Sequence, residues 1–256
     1  MAFLFNEIIY KPIYNLLIFV YSAVPFHDFG VAIILVTIFI KLVLIPLSKK
    51  QIESQKKMQE LQPKIKELQA KHRNDKEKQS RALMELYKEK KTNPFSGCLP
   101  MIVQLVFLIA IYRVLFNISN AGLKVNAADL YAFVPDPGQI HHMFLGIINL
   151  ASVLNLGNLT IASIPQLILI ILAAGSQYIQ TKMLMGRQAP APAGKEADFS
   201  QVMSKQMLYL GPLLTLFIGI KFPAGLALYW LVSTVFMIVQ QYLLEKKELP
   251  EAKKAN

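Results

Sequence analysis

Five apolar runs, at 29–47, 98–117, 164–184, 207–220 and 224–243, contain no Asp or Glu at all. A helix on the surface of a soluble domain needs a polar face, and these runs leave none wide enough. A hydrocarbon core about 30 Å thick takes about 20 helical residues. The first three runs meet that length and the fourth falls short of it. Only "KFPAG" separates the fourth run from the fifth, so the two form a helical hairpin that barely leaves the membrane. An earlier run at 13–24 is too short to cross and fits an interfacial helix, with Tyr10, Tyr14 and Tyr21 suited to headgroup depth. The expected fold is all-α: a polytopic membrane protein with five transmembrane helices, an interfacial N-terminal helix and a cytoplasmic helical hairpin.

The whole chain then divides as one membrane domain. An external, interfacial segment (1–28) precedes the first span (29–47), and a basic helical hairpin (48–97) leads to the second (98–117). An external loop (118–163) connects to the third span (164–184), and a cytoplasmic loop (185–206) to the fourth (207–220). The fifth span (224–243) ends in a cytoplasmic tail (244–256). No basic segment precedes the first apolar residues, so a cleavable signal peptide is not expected.

Charge fixes the expected orientation. The net charge is +11, and 22 of the 27 Lys and Arg fall in the hairpin, the 185–206 segment with its edge at Lys182, and the tail. Five spans put all three on one side. The other side holds Lys11, Lys124 and Lys221, while Lys41 and Arg113 lie within spans. The positive-inside rule puts the basic side in the cytoplasm, with the N-terminus outside, in a cell (plasma) membrane. The positive charge is therefore topogenic, and no specific nucleic acid is needed as a partner. Within the hairpin, Met58, Leu61, Ile65 and Leu68 form one seam and Leu83, Leu86 and Tyr87 another. Pro63 is expected to kink or restart the first arm. A self-packed connector and a mobile basic paddle both fit this pattern.

Inside the runs, Lys41 is the most informative residue. A charge at mid-bilayer costs about 2.5–3.5 kcal/mol on insertion scales, so it usually faces a bundle interior or a wet cavity. Lys41 lies roughly 10 Å short of Ser48 at 1.5 Å per residue, and a lysine there can snorkel. Side chains tilt toward the helix N-terminus, which here points Lys41 deeper into the membrane and favours a hydrated pocket. Thr37 is one turn away on the same face. Gln104 in the second run, Ser176, Gln177 and Gln180 in the third, and Trp230 and Ser233 in the fifth (with Thr234 beside them) are candidate lining residues. Gln and Ser also bond between helices for purely structural reasons, at about 0.6 kcal/mol each. Arg113, near the outer end of its run, reads as an interfacial anchor.

The missing residues narrow the function classes. Without a carboxylate in any run, a coupled transporter lacks its usual proton or cation relay. No phosphate-binding glycine loop, His-Glu-x-x-His or Gly-x-Ser-x-Gly is present, so an enzyme is not expected, nor a cofactor. His141 and His142 alone make no metal site, and the single cysteine, Cys98, reads as a small apolar packer.

"NPFSGCLPMIVQ" (93–104), "FPAGLALYWLVSTVFMIVQQ" (222–241) and "IPLSKKQIESQKKMQELQPKIKELQ" (45–69) resemble the YidC/Oxa/Alb membrane protein insertase family. "KPIYNLLIFVYSAV" (11–24) is similar to its interfacial helix, so the resemblance covers nearly the whole chain. It implies the family's compact five-span core, without a large periplasmic domain and without a lipoprotein signal. It further implies an insertase and chaperone that places newly made membrane proteins in the lipid bilayer. Substrates would be received in a hydrated, positively charged groove, and the Sec translocon and the ribosome are candidate partners. By this resemblance Lys41 stands where the family has a groove arginine, Thr37 at its threonine, Gln180 at its third-span glutamine and Trp230 at its fifth-span aromatic. Val106 stands where a proline is common. A small-solute transporter or channel is the alternative, and a purely structural scaffold a third reading.

Overall fold

A computed structural model describes residues 2–73, 75–93, 99–185 and 199–254. Its N-terminal helix is longer than the apolar run within it. Helix α1 (Ala2–Phe5), a π-helical turn (Asn6–Tyr10) and α2 (Lys11–Ala23) follow one another through helical backbone at Phe5, Tyr10 and Lys11. By length and composition alone Phe3–Ala23 is long enough to cross a membrane. Its three tyrosines, suited by sequence to headgroup depth, face the protein interior. Tyr10, Tyr14 and Tyr21 are buried, and their hydroxyls accept from Asn117 Nδ2 (2.9 Å), the Asn126 backbone N–H (2.8 Å) and the His141 backbone N–H (2.9 Å). Asn15 adds two more bonds, to the Asp129 carbonyl (2.8 Å) and from the Tyr131 N–H (2.6 Å). This face of α2 is the floor on which residues 117–141 are laid. A buried phenol needs a hydrogen-bond partner, and loop backbone supplies it.

Asp28 then caps α3 (Phe29–Val43) by accepting from Val31 N–H at 3.0 Å. The apolar run continues to Leu47, but the helix stops four residues earlier. Leu44 leaves helical geometry and α4 (Ile45–Lys71) departs at 66°. Pro46 is the cause, since it has no N–H for the Leu42 carbonyl and its ring crowds that carbonyl. Pro63 does not restart the helix: α4 continues through it, with Pro63 on an exposed side. Water there can serve the Gln59 carbonyl that Pro63 leaves free. Helix α5 (Lys76–Glu89) folds back along α4, and Leu61, Ile65 and Leu86 form the seam with Met58, Leu68, Leu83 and Tyr87. Asp75 caps α5, and the Lys78 backbone N–H, followed by the Lys78 ammonium, holds its carboxyl below the usual carboxylate range. The hairpin also touches the bundle, where Gln59 Nε2 donates to the Leu184 carbonyl.

The remaining helices are α6 (Leu99–Asn120), α7 (Ile164–Met185), α8 (Phe199–Lys221) and α9 (Ala224–Lys254). Helix α8 begins inside the segment read as a loop, yet only its Leu208–Lys221 part is apolar. Helix α9 runs on beyond 243. A capping box between Thr160 and Ser163 opens the turn that leads into α7. Helix α7 packs on both α8 and α9, α9 on α3, and α3 on α2. Helices α7 and α8 come close because Gly219 has no side chain, and a Cβ there would lie 2.8 Å from Ile170 Cγ2. A short hairpin, β1 (Met143–Phe144) and β2 (Ile148–Asn149), lies in the loop before α7. The Leu150 and Ser152 carbonyls accept from Gly225 and Ala224 at 2.9 Å each, tying that loop to the start of α9.

Among the described residues, four helices are long and apolar enough to cross a membrane, or five if the bent α3–α4 pair is one span. Leu35, Phe39 and Leu42 on α3, Ile102, Leu105 and Ile109 on α6, and Ile168, Ile171 and Leu172 on α7 are exposed. A bundle with an apolar outside and polar groups within is the inverse of a soluble core. The chain is an all-α polytopic membrane protein.

Candidate functional site

Lys41 lies on α3 one turn before the break. Its ammonium donates to Gln104 Oε1 on α6 at 3.0 Å, and Ser233 Oγ on α9 donates to the same oxygen at 2.9 Å. An ammonium only donates, so the amide of Gln104 must turn its oxygen this way. That leaves Gln104 Nε2 enclosed and without a partner among the described residues. Tyr229, fully enclosed, meets the same Ser233 and Gln104 side chains. Three helices therefore converge on one amide oxygen, and among the described residues the only charge at the node is positive.

A second node forms one turn away on α9. Gln177 Oε1 on α7 accepts from Trp230 Nε1 at 2.9 Å and from Thr234 Oγ1 at 3.5 Å, while its Nε2 reaches Thr181 Oγ1 at 3.4 Å. Trp230, Ser233 and Thr234 are spaced three and four residues apart, so one face of α9 serves both nodes. Toward the α4 end, Ser48 and Gln240 exchange bonds of 3.1 and 2.8 Å and join the base of the hairpin to α9.

Five of the eight expected site residues thus enter the nodes: Lys41, Gln104, Gln177, Trp230 and Ser233. Thr37 and Ser176 are buried but bond back to their own helices, to the Ile33 carbonyl (2.6 Å) and the Ala173 carbonyl (2.8 Å). Gln180 is half-buried, one turn beyond Ser176, and its side chain makes no bond among the described residues. Tyr229 and the Ser48–Gln240 pair escaped sequence reasoning. The four-residue step from Tyr229 to Ser233 was the available signal for the first. Arg113 stands apart, exposed, with its guanidinium 5.6 Å from the Phe5 ring centre and 5.9 Å from that of Tyr10. It clamps α6 to the N-terminal helix by cation–π attraction. Cys98 lies outside the described residues, and no group of three or more His, Cys, Asp or Glu suited to a metal occurs among the described residues.

A bundle with an apolar exterior and a part-buried cation tied to neutral amides and hydroxyls is a membrane fold with a polar site inside it. The chain belongs to the 60Kd inner membrane protein family, whose pattern it matches over residues 19–252. It is 35% identical over 237 residues to a membrane protein insertase YidC of Magnetococcus marinus, covering 93% of this chain and 35% of that protein. The corresponding protein of Rickettsia rickettsii is 33% identical over 244 residues (93% of this chain, 39% of that one). That of Geotalea uraniireducens is 34% identical over 239 residues (92% and 37%). The chain thus spans between a third and two fifths of the length of these relatives. It is a multi-pass inner membrane protein.

Proposed function

We propose that the chain inserts newly made membrane proteins into the bilayer and assists their folding. The Lys41–Gln104–Ser233 node would receive the polar end of the substrate. The observation that carries this reading is the Lys41 ammonium, held inside an apolar bundle with a neutral partner at 3.0 Å. An unneutralised positive charge attracts an acidic tail, and its field is stronger where the surroundings are less polar than water. The enclosed Gln104 Nε2 supports the same reading, because an unpaired donor in a bundle calls for water or a ligand acceptor.

In this account residues 29–47 are the first span, crossed by α3 and the bend. The basic hairpin and the tail are cytoplasmic, the N-terminus is outside, and the N-terminal helix lies in the interface with its tyrosine face against the external loop. The apolar part of α8, Leu208–Lys221, is about 21 Å long at the helical rise and favours a locally thinned bilayer. A hydrated groove and a thin membrane together shorten the dry path of the tail. Partition of the substrate's apolar segment into lipid supplies the driving force.

The test is rescue of a host depleted of its own insertase by this chain carrying Lys41, Lys41→Arg or Lys41→Ala. Rescue by the first two and loss with alanine is expected. Failure of the intact chain, when it is present in the membrane, contradicts the reading.

A further inference from the structure

The most exposed large apolar side chain among the described residues is Phe26, 97% exposed, in the turn before α3. Leu145 and Ile147, 64% and 60% exposed, stand at the tip of the β1–β2 hairpin. Both places hold backbone that such residues rarely adopt. Phe26 and His27 have φ of 63° and 50°, and Leu145 has φ of 51°. The hairpin turn is closed by the Ile147 N–H on the Phe144 carbonyl at 2.9 Å, with Leu145 and Gly146 both at positive φ. Asn, Asp or Gly is the usual first residue of such a turn, because each tolerates the left-handed region and faces water without cost. Here a leucine is forced into it.

Two contacts lock these turns together on the N-terminal end of α3. Asp28 divides its carboxylate, Oδ1 accepting from Val31 N–H at 3.0 Å and Oδ2 from Leu145 N–H at 2.7 Å. Phe144 lies directly over Gly30, where an added Cβ would come within 2.2 Å of its ring. On the other side of the turn, Tyr21 makes edge contacts with His27 and Phe29. The carboxylate is used up inside the lock, and residues 25–29 and 143–150 hold no Lys or Arg. What faces outward is hydrocarbon, apart from the exposed His27 imidazole next to Phe26.

We propose that Phe26, Leu145 and Ile147 form a wedge seated at the headgroup–acyl boundary of the leaflet beside the N-terminal end of α3, with Asp28 as its latch. Two observations assign this surface to lipid. Leu35, Phe39 and Leu42 are exposed farther along the same helix, whose outside is therefore apolar. The straight part of α3 has 15 residues, about 22 Å at 1.5 Å per residue, short of a hydrocarbon core of about 30 Å. The wedge adds apolar height at the end where α3 is short, and it sets the depth of everything α3 carries, including Lys41. It depends on the membrane fold alone and stands whether or not the chain is an insertase.

The test uses the full chain in phosphatidylethanolamine–phosphatidylglycerol vesicles. Cys98→Ser supplies a cysteine-free background, and single cysteines at 26, 145 or 147 carry an environment-sensitive dye. Exposed Ala128 on the same side, as Ala128→Cys, is the control. The three wedge labels are expected to emit to the blue of the control and to be quenched at least threefold more by lipids brominated near the carbonyl end. Iodide, present inside and outside, should quench them at least threefold less. In an Asp28→Ala background, iodide quenching at 145 should rise about twofold while the label at 26 and the helical circular dichroism change little. Wedge labels as open to iodide as the control overturn the wedge and leave a water-facing surface. An unchanged label at 145 in the Asp28→Ala background overturns the latch.

Discussion

The Lys41 ammonium and the Ser233 hydroxyl share one acceptor, the Gln104 side-chain oxygen, at 3.0 and 2.9 Å. The lysine is therefore held on two sides of the bundle, through α6 directly and through α9 by way of the same amide. A hydrogen bond to a charged group contributes about 1.5–3 kcal/mol. Gln104→Leu removes the acceptor and frees the ammonium to snorkel toward the hairpin side. Insertion of a substrate with an acidic tail is expected to fall roughly tenfold, the equivalent of about 1.4 kcal/mol, while a substrate with a neutral tail is spared. An equal loss for both tails would mean that Gln104 supports only the packing of α6.

Trp230 is the only tryptophan in the chain, so its emission reports on the second node alone. Gln177→Leu leaves its indole N–H without the 2.9 Å acceptor. A blue shift of the emission is expected, with about 1 kcal/mol of lost stability. In detergent this corresponds to a midpoint lower by roughly 2–4 °C. An unchanged spectrum would place the indole away from Gln177.

The first span and the hairpin were legible in outline, but the break at their join was not. Hydropathy carried the run to Leu47 because Ile45, Pro46 and Leu47 are all apolar, but apolarity does not measure a missing N–H. The helix obeys Pro46 and turns by 66°. At Pro63 the same residue type had the opposite outcome, since α4 is supported there by Leu61 and Ile65 against Leu86. Tertiary packing decided what propensity could not. The tyrosines of α2 look the same in sequence whether their hydroxyls meet headgroups or loop backbone, and only the path of residues 117–141 distinguishes the two. Lys41 was conspicuous at once. Its partner was one of several intramembrane polar residues until α6 and α9 were placed beside α3.

Close packing of α7 on α8 rests on Gly219. Gly219→Val places a branched side chain where a Cβ alone would be 2.8 Å from Ile170. Overpacking of this kind costs about 1–3 kcal/mol. The expected readout is earlier thermal unfolding in detergent, with Ile170→Ala partly restoring the midpoint. No recovery in the double variant would mean that the helices do not approach at this point.

The hairpin carries its own pH dependence. The Asp75 carboxyl has a folded pKa below its unfolded value near 3.9, so its contribution is present above that pH and is lost as pH falls through the folded value. Between neutral pH and about 5 the α5 amides should exchange slowly and nearly independently of pH. Below 4 their protection should fall, once the intrinsic acid slowing of exchange is corrected for. Asp75→Asn keeps an acceptor for the Lys78 N–H and should flatten that drop, whereas Asp75→Ala should show fast exchange at every pH. Identical profiles for all three would exclude Asp75 as the source.

The central claim is tested most directly by insertion into vesicles that contain only this chain and lipid. A small single-span substrate with an acidic tail is synthesised in their presence, and protease then reports how much tail has crossed. The account predicts a protected tail with the intact chain and with Lys41→Arg, a roughly tenfold smaller fraction with Lys41→Ala, and background in protein-free vesicles. Protection by Lys41→Ala equal to that of the intact chain would contradict a role for the buried charge. Protection by the intact chain no greater than in protein-free vesicles would contradict the insertase function itself.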